Sequence, residues 1–276
     1  MSADVAADVA RGREALAPAA TRQLRFTLTL RNPTGLALTD QTVWLYLPMK
    51  DTTTQHLANV RVSMPHELSQ DSLGHSVLRL SLPTVGPFTS KVVTVQAELA
   101  LRQEAMRVTL IDPSPWLKAE RWIECDDAEV RALAATLQRS TQSETLDAIY
   151  DWVSSQLVYA GYVADPLGAR LALQKRWGDC TEYAYLCCAL ARARGIAARP
   201  VGGYVVNGSA APRAEDYHDW TEVYLDGAWR VMDAQKRCWR QPAEDYIAFR
   251  VHQPVATNAL GLAARFKVDG SLDLRM

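Results

Sequence analysis

The pattern of hydrophobic and polar positions changes in character near residue 112. Between Thr21 and Leu101, short runs such as "RQLRFTLTLRNPTG", "QTVWLYLP", "SVLRLSLP" and "KVVTVQAELAL" alternate polar and apolar residues and end at Pro, Gly, Asp or Ser. Alternation with a period of two, punctuated by turn residues, predicts antiparallel strands. We therefore expect an immunoglobulin-like β-sandwich over residues 21–112. An Ala-rich segment, residues 1–20, precedes it as an N-terminal arm.

Beyond the Pro-rich joint "LIDPSPWLK" (110–118), apolar residues return every three or four positions, as they do in helices. In "DDAEVRALAATLQRS", Asp126 and Glu129 have capping-box spacing, and Thr141 and Glu144 repeat it in "TQSETLDAIYDWVSSQLVY". The second helix should bury one stripe of residues: Leu146, Ile149, Trp152, Val153 and Leu157. We place the second domain at 113–276.

A third helix is predicted from the stretch "GDCTEYAYLCCALARARG". It should begin at or just before Cys180 and stop at Gly195, a residue type favoured just after a helix end. The segments that follow it, "ARPVGGYVVN" and "YHDWTEVYLDGAWRVMDAQ", read as strands. Three helices followed by a sheet indicate an α+β domain.

Composition narrows the class of protein. The 276 residues are 48% hydrophobic and 22% charged, with 30 basic against 31 acidic side chains, which is typical of a soluble globular protein. No basic stripe suggests nucleic acid as a partner. No apolar run reaches the length of a membrane span, and no signal peptide is visible. As it stands the chain is expected to be cytoplasmic, or periplasmic or secreted if a leader was removed; its oligomeric state is left open.

Among five cysteines, Cys180 is the reactive candidate. The odd count and the absence of C-x-x-C spacing argue against a disulfide framework and a structural zinc site. Cys180 lies at a helix N-terminus, where unpaired N–H groups and the helix dipole favour a thiolate and should lower its pKa. Cys187 and Cys188 lie two turns further along and should pack as core residues.

A hairpin downstream supplies a base for this thiol. Asp226-Gly227 predicts a two-residue turn that pairs Leu225 with Ala228 and, further out, sets Trp220 opposite Asp233. His218 shares a face with Trp220, so Asp233 becomes its diagonal neighbour. A histidine oriented by a carboxylate is what a cysteine nucleophile needs.

The alternative is that these are separate structural residues. The remaining histidines lack such context and are expected in surface or loop positions: His56, His66, His75 and His252.

The segments "GDCTEYAYLCCALARARGIAARPVGGY" and "HDWTEVYLDGAWRVMDA" resemble the core of the transglutaminase-like superfamily, over about residues 152–234. The resemblance implies a papain-like fold with Cys180 as nucleophile, His218 as base and Asp233 as the residue that orients the base. The chain departs from the common pattern in having Asp-Ala at 233–234 where Asp-Pro is usual. It also carries Asp219 after the histidine, which we expect to point away from the histidine face and to affect the surface more than the chemistry.

The oxyanion site is less sharply indicated. The backbone N–H of Cys180 should provide one donor. For the second, the family resemblance favours Tyr159, with Gln174 and Trp177 as alternatives.

The sequence predicts an enzyme that cleaves amide bonds of a peptide or protein through a Cys thioester, without a metal or organic cofactor. Hydrolysis, as in a cysteine protease, peptidase or amidohydrolase, is favoured because no calcium-binding loop is recognisable. A transglutaminase with an amine acceptor and a non-catalytic binding module are the alternatives. The loop 207–217 could line the substrate cleft or be an ordinary solvated connection.

Overall fold

A computed structural model describes residues 20–276, so the predicted arm at 1–20 lies, apart from Ala20, outside the described residues. The chain forms two compact units, each assembled from separated stretches. The first comprises 20–103, 203–217 and 244–276, and the second comprises 104–202 and 218–243.

The first unit is built from antiparallel strands. They are β1 (Ala20–Arg31), β2 (Leu38–Leu47), β3 (Gln55–Val62), β4 (Glu67–Gln70), β5 (Ser76–Val85), β6 (Ser90–Leu101), β13 (Tyr246–Val251), β14 (Phe266–Asp269) and β15 (Asp273–Arg275). Two four-stranded sheets result, in the orders β15-β1-β6-β3 and β14-β2-β5-β4. Their inward-facing residues form one hydrophobic cluster, with alternate positions of β1 buried at Leu24, Phe26, Leu28 and Leu30. The period-two prediction of strands is confirmed here; the immunoglobulin-like assignment stays a prediction.

The C-terminal segment joins the first unit, although the sequence suggested one domain over 113–276. Val268 of β14 pairs with Val43, and Leu274 of β15 pairs with Leu30. Each sheet thereby gains an edge strand that satisfies backbone groups of β2 or β1. These strands are only four and three residues long, too short to produce a strong alternating pattern.

His75, expected at the surface, is instead buried in the first unit, at 1% exposure. Its Nδ1 donates to Asp71 at 2.7 Å, and its Nε2 accepts from the Val251 N–H at 2.9 Å. Thr257 and Asn258 also donate to Asp71. The buried imidazole is therefore fully hydrogen-bonded and ties the region after β13 to the β4–β5 turn.

The second unit contains four helices and six strands. They are α1 (Ala128–Thr136), α2 (Gln142–Gln156), β7 (Val158–Tyr159), α3 (Gly168–Lys175), β8 (Trp177–Gly178), α4 (Cys180–Ala193), β9 (Ala198–Val205), β10 (Tyr217–Leu225), β11 (Ala228–Asp233) and β12 (Cys238–Trp239). Its sheet has the order β12-β11-β10-β9, and β7 and β8 form a separate parallel pair. Strand β13 is the other neighbour of β9. Helix α4 is the centre of the core, with Cys187 and Cys188 fully buried as predicted.

Two predicted helix ends are confirmed, one predicted N-cap lies one residue further along, and one helix was not predicted. Thr141 and Glu144 form the predicted capping box of α2, and Gly195 follows α4 with a φ of +71°. At α1 the N-cap is Asp127 rather than Asp126, because Asp127 accepts hydrogen bonds from the next turn. Helix α3 was not predicted; it has eight residues and no side-chain cap.

Within the described residues, no helix is long and apolar enough to cross a membrane.

The predicted hairpin register is confirmed. Leu225 pairs with Ala228 and Tyr224 with Trp229 between β10 and β11. Asp226 and Gly227 both have positive φ, +54° and +78°, as a type I′ turn requires.

Candidate active site

The turn that leads into α4 fixes the start of this helix tightly. The Asp179 side chain accepts from the Thr181 N–H at 2.8 Å, and Glu182 Oε2 accepts from the Asp179 N–H at 3.1 Å. Glu182 Oε1 also accepts from the Leu167 N–H at 2.9 Å. A Cβ at Gly178 would lie 2.3 Å from the Glu182 Cβ, so only glycine allows β8 to approach the helix this closely.

Cys180 is the first residue of α4, immediately after this capping box. All five cysteines lie within the described residues and are free thiols; Cys180 is partly exposed and the other four are buried. Position and exposure together make Cys180 the thiol that a substrate could reach.

The pKa of the Cys180 thiol differs from the lowered value that its position at a helix N-terminus predicted. Burial raises the pKa of its thiol to about 12, and the charges of Asp219 and Asp179 act in the same direction. A backbone hydrogen bond from Asp219 lowers it, but not enough to reverse the shift. The predicted depression of the pKa is therefore outweighed by desolvation and two carboxylates, and Cys180 rests as a thiol at neutral pH.

His218 and Asp233 form a buried pair, as the hairpin register indicated. His218 Nε2 and Asp233 Oδ2 are 2.6 Å apart, and the two residues are 5% and 2% exposed. Asp233 Oδ1 accepts from the Lys236 N–H at 2.9 Å, and the His218 ring stacks on Trp220. Because Nε2 faces the carboxylate, Nδ1 is the nitrogen that can exchange a proton with a nucleophile.

Contacts between α4 and β10 bring Cys180 beside the histidine strand. Thr181 Oγ1 donates to Asp219 Oδ2 at 2.8 Å, and the backbone N–H of Asp219 donates to Cys180. One turn further along, the hydroxyl of Thr221 donates to the Ala184 carbonyl at 2.9 Å. The structure thus places Cys180 against the residue that directly follows His218.

The expectation for Asp219 was wrong. It is 8% exposed and faces the first turn of α4, instead of lying on the surface. The contact with Thr181 at the start of α4 buries Asp219 there, which the alternation of β10 did not predict.

Tyr159 lies on β7, whose backbone pairs with Gly178, two residues before Cys180. It is 52% exposed; burial raises the pKa of its phenol, and so does the proximity of Cys180. Of the alternatives, Gln174 donates its amide to Glu129 of α1 at 3.0 Å, and Trp177 pairs with Val158. Tyr159 as the second oxyanion donor stays a prediction.

Two residues that shape the site were not singled out from the sequence, namely Thr181 and Glu182. The Asp179–Glu182 spacing is a capping-box signal that could have been read directly. The contact of Thr181 with Asp219 has no sequence signature, because it joins residues 38 positions apart.

Comparison with known proteins agrees with this geometry. Residues 131–234 match the sequence model of the Transglutaminase-like superfamily. Among solved structures, a "Putative Cysteine Protease" from Cytophaga hutchinsonii shares 20% identity at a TM-score of 0.61, over 93% of this chain and 90% of that one. The periplasmic domain of TgpA from Pseudomonas aeruginosa shares 17% identity at a TM-score of 0.43, over 75% and 88%. No curated protein matches the chain.

Proposed function

We propose that the protein is a thiol-dependent acyl-transfer enzyme that cleaves amide bonds, a proposal supported by the match of residues 131–234 to the Transglutaminase-like superfamily. The observation that carries the proposal is the buried His218–Asp233 pair, 2.6 Å apart, whose histidine lies on β10 next to Asp219, the residue that contacts the first turn of α4. A buried imidazole oriented by a carboxylate beside a partly exposed thiol is the arrangement that nucleophilic catalysis requires.

The first half of the reaction forms a thioester. As Cys180 Sγ attacks the amide carbonyl carbon, its proton passes to His218 Nδ1, and Asp233 stabilises the imidazolium that results. The tetrahedral intermediate then collapses, the C–N bond breaks, and His218 returns the proton to the leaving amine. The acyl group is left on sulfur.

Because Cys180 rests as a thiol, proton removal by His218 accompanies the attack. A positioned general base of this kind contributes about 10²–10⁴-fold to a rate. In the tetrahedral intermediate, the Cys180 N–H at the front of α4 and the Tyr159 hydroxyl would hold the oxyanion.

In the second half of the reaction an acceptor attacks the thioester carbonyl carbon while His218 takes its proton; the C–S bond then breaks and the proton returns to the Cys180 sulfur. Water gives hydrolysis, as in a cysteine protease, peptidase or amidohydrolase, and an amine gives transamidation. We place hydrolysis first; the Cytophaga hutchinsonii protein of similar fold carries the description "Putative Cysteine Protease". A peptide or protein is the proposed substrate, and the immunoglobulin-like first unit would serve to bind it.

The test is digestion of a mixed peptide library, with and without an added primary amine, followed by mass spectrometry. New peptide termini would indicate hydrolysis of backbone amides, Gln-to-Glu conversion would indicate deamidation, and amine adducts would indicate transglutaminase activity. Each product should disappear in Cys180→Ala and persist in Cys125→Ala, which removes a buried thiol away from α4.

The competing possibility is a binding module that keeps the shape of the family without turnover. A library unchanged by wild type, together with Cys180 no more reactive towards iodoacetamide than Cys125, would support that possibility and overturn the enzyme proposal.

A further inference from the structure

The contact between Thr181 and Asp219 joins the two elements that carry the proposed reaction. Thr181 directly follows Cys180 in the first turn of α4, and Asp219 directly follows His218 on β10. Their side chains meet at 2.8 Å, with Thr181 Oγ1 donating to Asp219 Oδ2. Because Thr181 is adjacent to Cys180 and Asp219 is adjacent to His218, this hydrogen bond constrains the distance between the nucleophile and the base.

We propose that Asp219 is a positioning residue that acts on Cys180 in two opposing ways: through Thr181 it holds the thiol beside the base, and through its negative charge it keeps the proton on sulfur until His218 removes it. This inference rests on the proposed function, because it concerns the same thiol.

The positioning effect follows from burial and geometry. Asp219 is 8% exposed, and its backbone N–H donates to Cys180 while its carboxylate accepts from Thr181. One residue thus contacts two consecutive residues of the helix. Rotation or sliding of the first turn of α4 past β10 would break both contacts, so the sulfur stays at a fixed place along the strand.

The charge effect follows from the surroundings of the thiol. The acidic groups that face Cys180 are Asp219 on β10 and Asp179 at the helix N-cap, and both disfavour the thiolate. Opposing them is the hydrogen bond from the Asp219 backbone. The Thr181 hydroxyl donates its proton to Asp219 Oδ2 and so offsets part of the charge of that carboxylate. Tyr159 on β7 also lies near the sulfur, and its phenol carries no charge at neutral pH. With two carboxylates close by, the proton leaves sulfur only when a base takes it.

The two effects predict opposite outcomes for two substitutions. Asp219→Asn keeps an oxygen that can accept from Thr181 but removes the charge, so the thiolate should form more easily. A nearby like charge typically shifts a pKa by about 1–3 units, so alkylation of Cys180 at pH 7 should rise about tenfold or more. Thr181→Val removes the hydroxyl and keeps the charge, so alkylation should slow. Thr181→Ser restores the hydroxyl and should restore the wild-type rate.

The experiment measures iodoacetamide alkylation of Cys180 by mass spectrometry from pH 5 to 10 in wild type and these three variants. Modification of buried Cys125, read in the same spectra, reports whether each variant is folded. The proposal predicts a profile displaced to lower pH in Asp219→Asn, to higher pH in Thr181→Val, and unchanged in Thr181→Ser.

A residue with a merely structural role would give another result. If Asp219→Asn and Thr181→Val both slow alkylation while Cys125 stays protected, the charge effect is absent and the inference is overturned, although the proposed function stands. If Cys180 in wild type reacts no faster than Cys125, the proposed function and this inference both fail.

Discussion

Substitution of Gly178 by Ala should destabilise the protein at the active-site turn. The added Cβ would lie 2.3 Å from the Glu182 Cβ and 2.8 Å from its Cγ, both inside the ~3.5 Å at which carbon atoms make contact and the first by more than 1 Å. The Glu182 Cβ is part of the helix and cannot rotate away. Relief therefore requires β8 and the first turn of α4 to separate.

The size of the effect can be worked from two costs. Overpacking of a closely packed site costs about 1–3 kcal/mol. Moving β8 away from α4 would also lengthen the hydrogen bonds that buried Glu182 accepts from the Leu167 and Asp179 N–H groups. Loss of one such buried hydrogen bond costs about 1–3 kcal/mol. We expect Gly178→Ala to lower the free energy of unfolding by about 2–6 kcal/mol.

The matched control is Gly161→Ala. Gly161 has a φ of +77° and open space where the Cβ would lie, so only backbone strain of about 1–2 kcal/mol is expected. Urea unfolding followed by tryptophan fluorescence measures both variants. If Gly178→Ala is no more destabilising than Gly161→Ala, the close approach of β8 to Glu182 does not constrain this turn and the reasoning is refuted.

Two further predictions concern groups remote from the reaction. Arg192→Met should lower the free energy of unfolding by about 3–5 kcal/mol, because it breaks the buried contact with Glu120 at 2.6 Å, whereas Arg131→Met, at an exposed position of α1, should change it by about 0.5 kcal/mol or less. Burial by itself raises the pKa of Asp71, but hydrogen bonds led by His75 lower it well below its ordinary 3.8. The stability that Asp71 contributes should therefore be present above about pH 4 and lost as the pH falls below it. Urea unfolding at pH 7 and pH 3 should show the gap between wild type and Asp71→Asn narrowing in acid; a constant gap would contradict the assignment.

Short sequence patterns predicted those features of the fold that depend on residues close together in the chain. The turn at Asp226-Gly227 fixed the hairpin register and thus the approach of His218 to Asp233. The position of Cys180 at a helix start followed from the same kind of reasoning. These features depend on residues within about 15 positions of each other, so their signals survive in a single sequence.

Features that depend on distant contacts were missed or misjudged. Strand alternation predicted an exposed Asp219 and missed its contact with Thr181 of α4, which lies 38 positions away in the chain. His75 was assigned to the surface because its partner Val251 lies 176 residues away. The pKa of Cys180 was misjudged for a related reason: the helix N-terminus is visible in the sequence, whereas burial and the neighbouring Asp219 are not.

The central claim is that Cys180 is a reactive nucleophile and that His218 is its general base. The most direct test is to measure alkylation of individual cysteines at neutral pH. We measure iodoacetamide modification of Cys180, Cys125 and Cys238 in wild type, His218→Ala and Asp233→Asn. The account predicts that Cys180 reacts fastest in wild type and slows about 10²-fold or more in His218→Ala, with a smaller loss in Asp233→Asn. A Cys180 rate that is indifferent to His218, or no greater than those of Cys125 and Cys238, would contradict it.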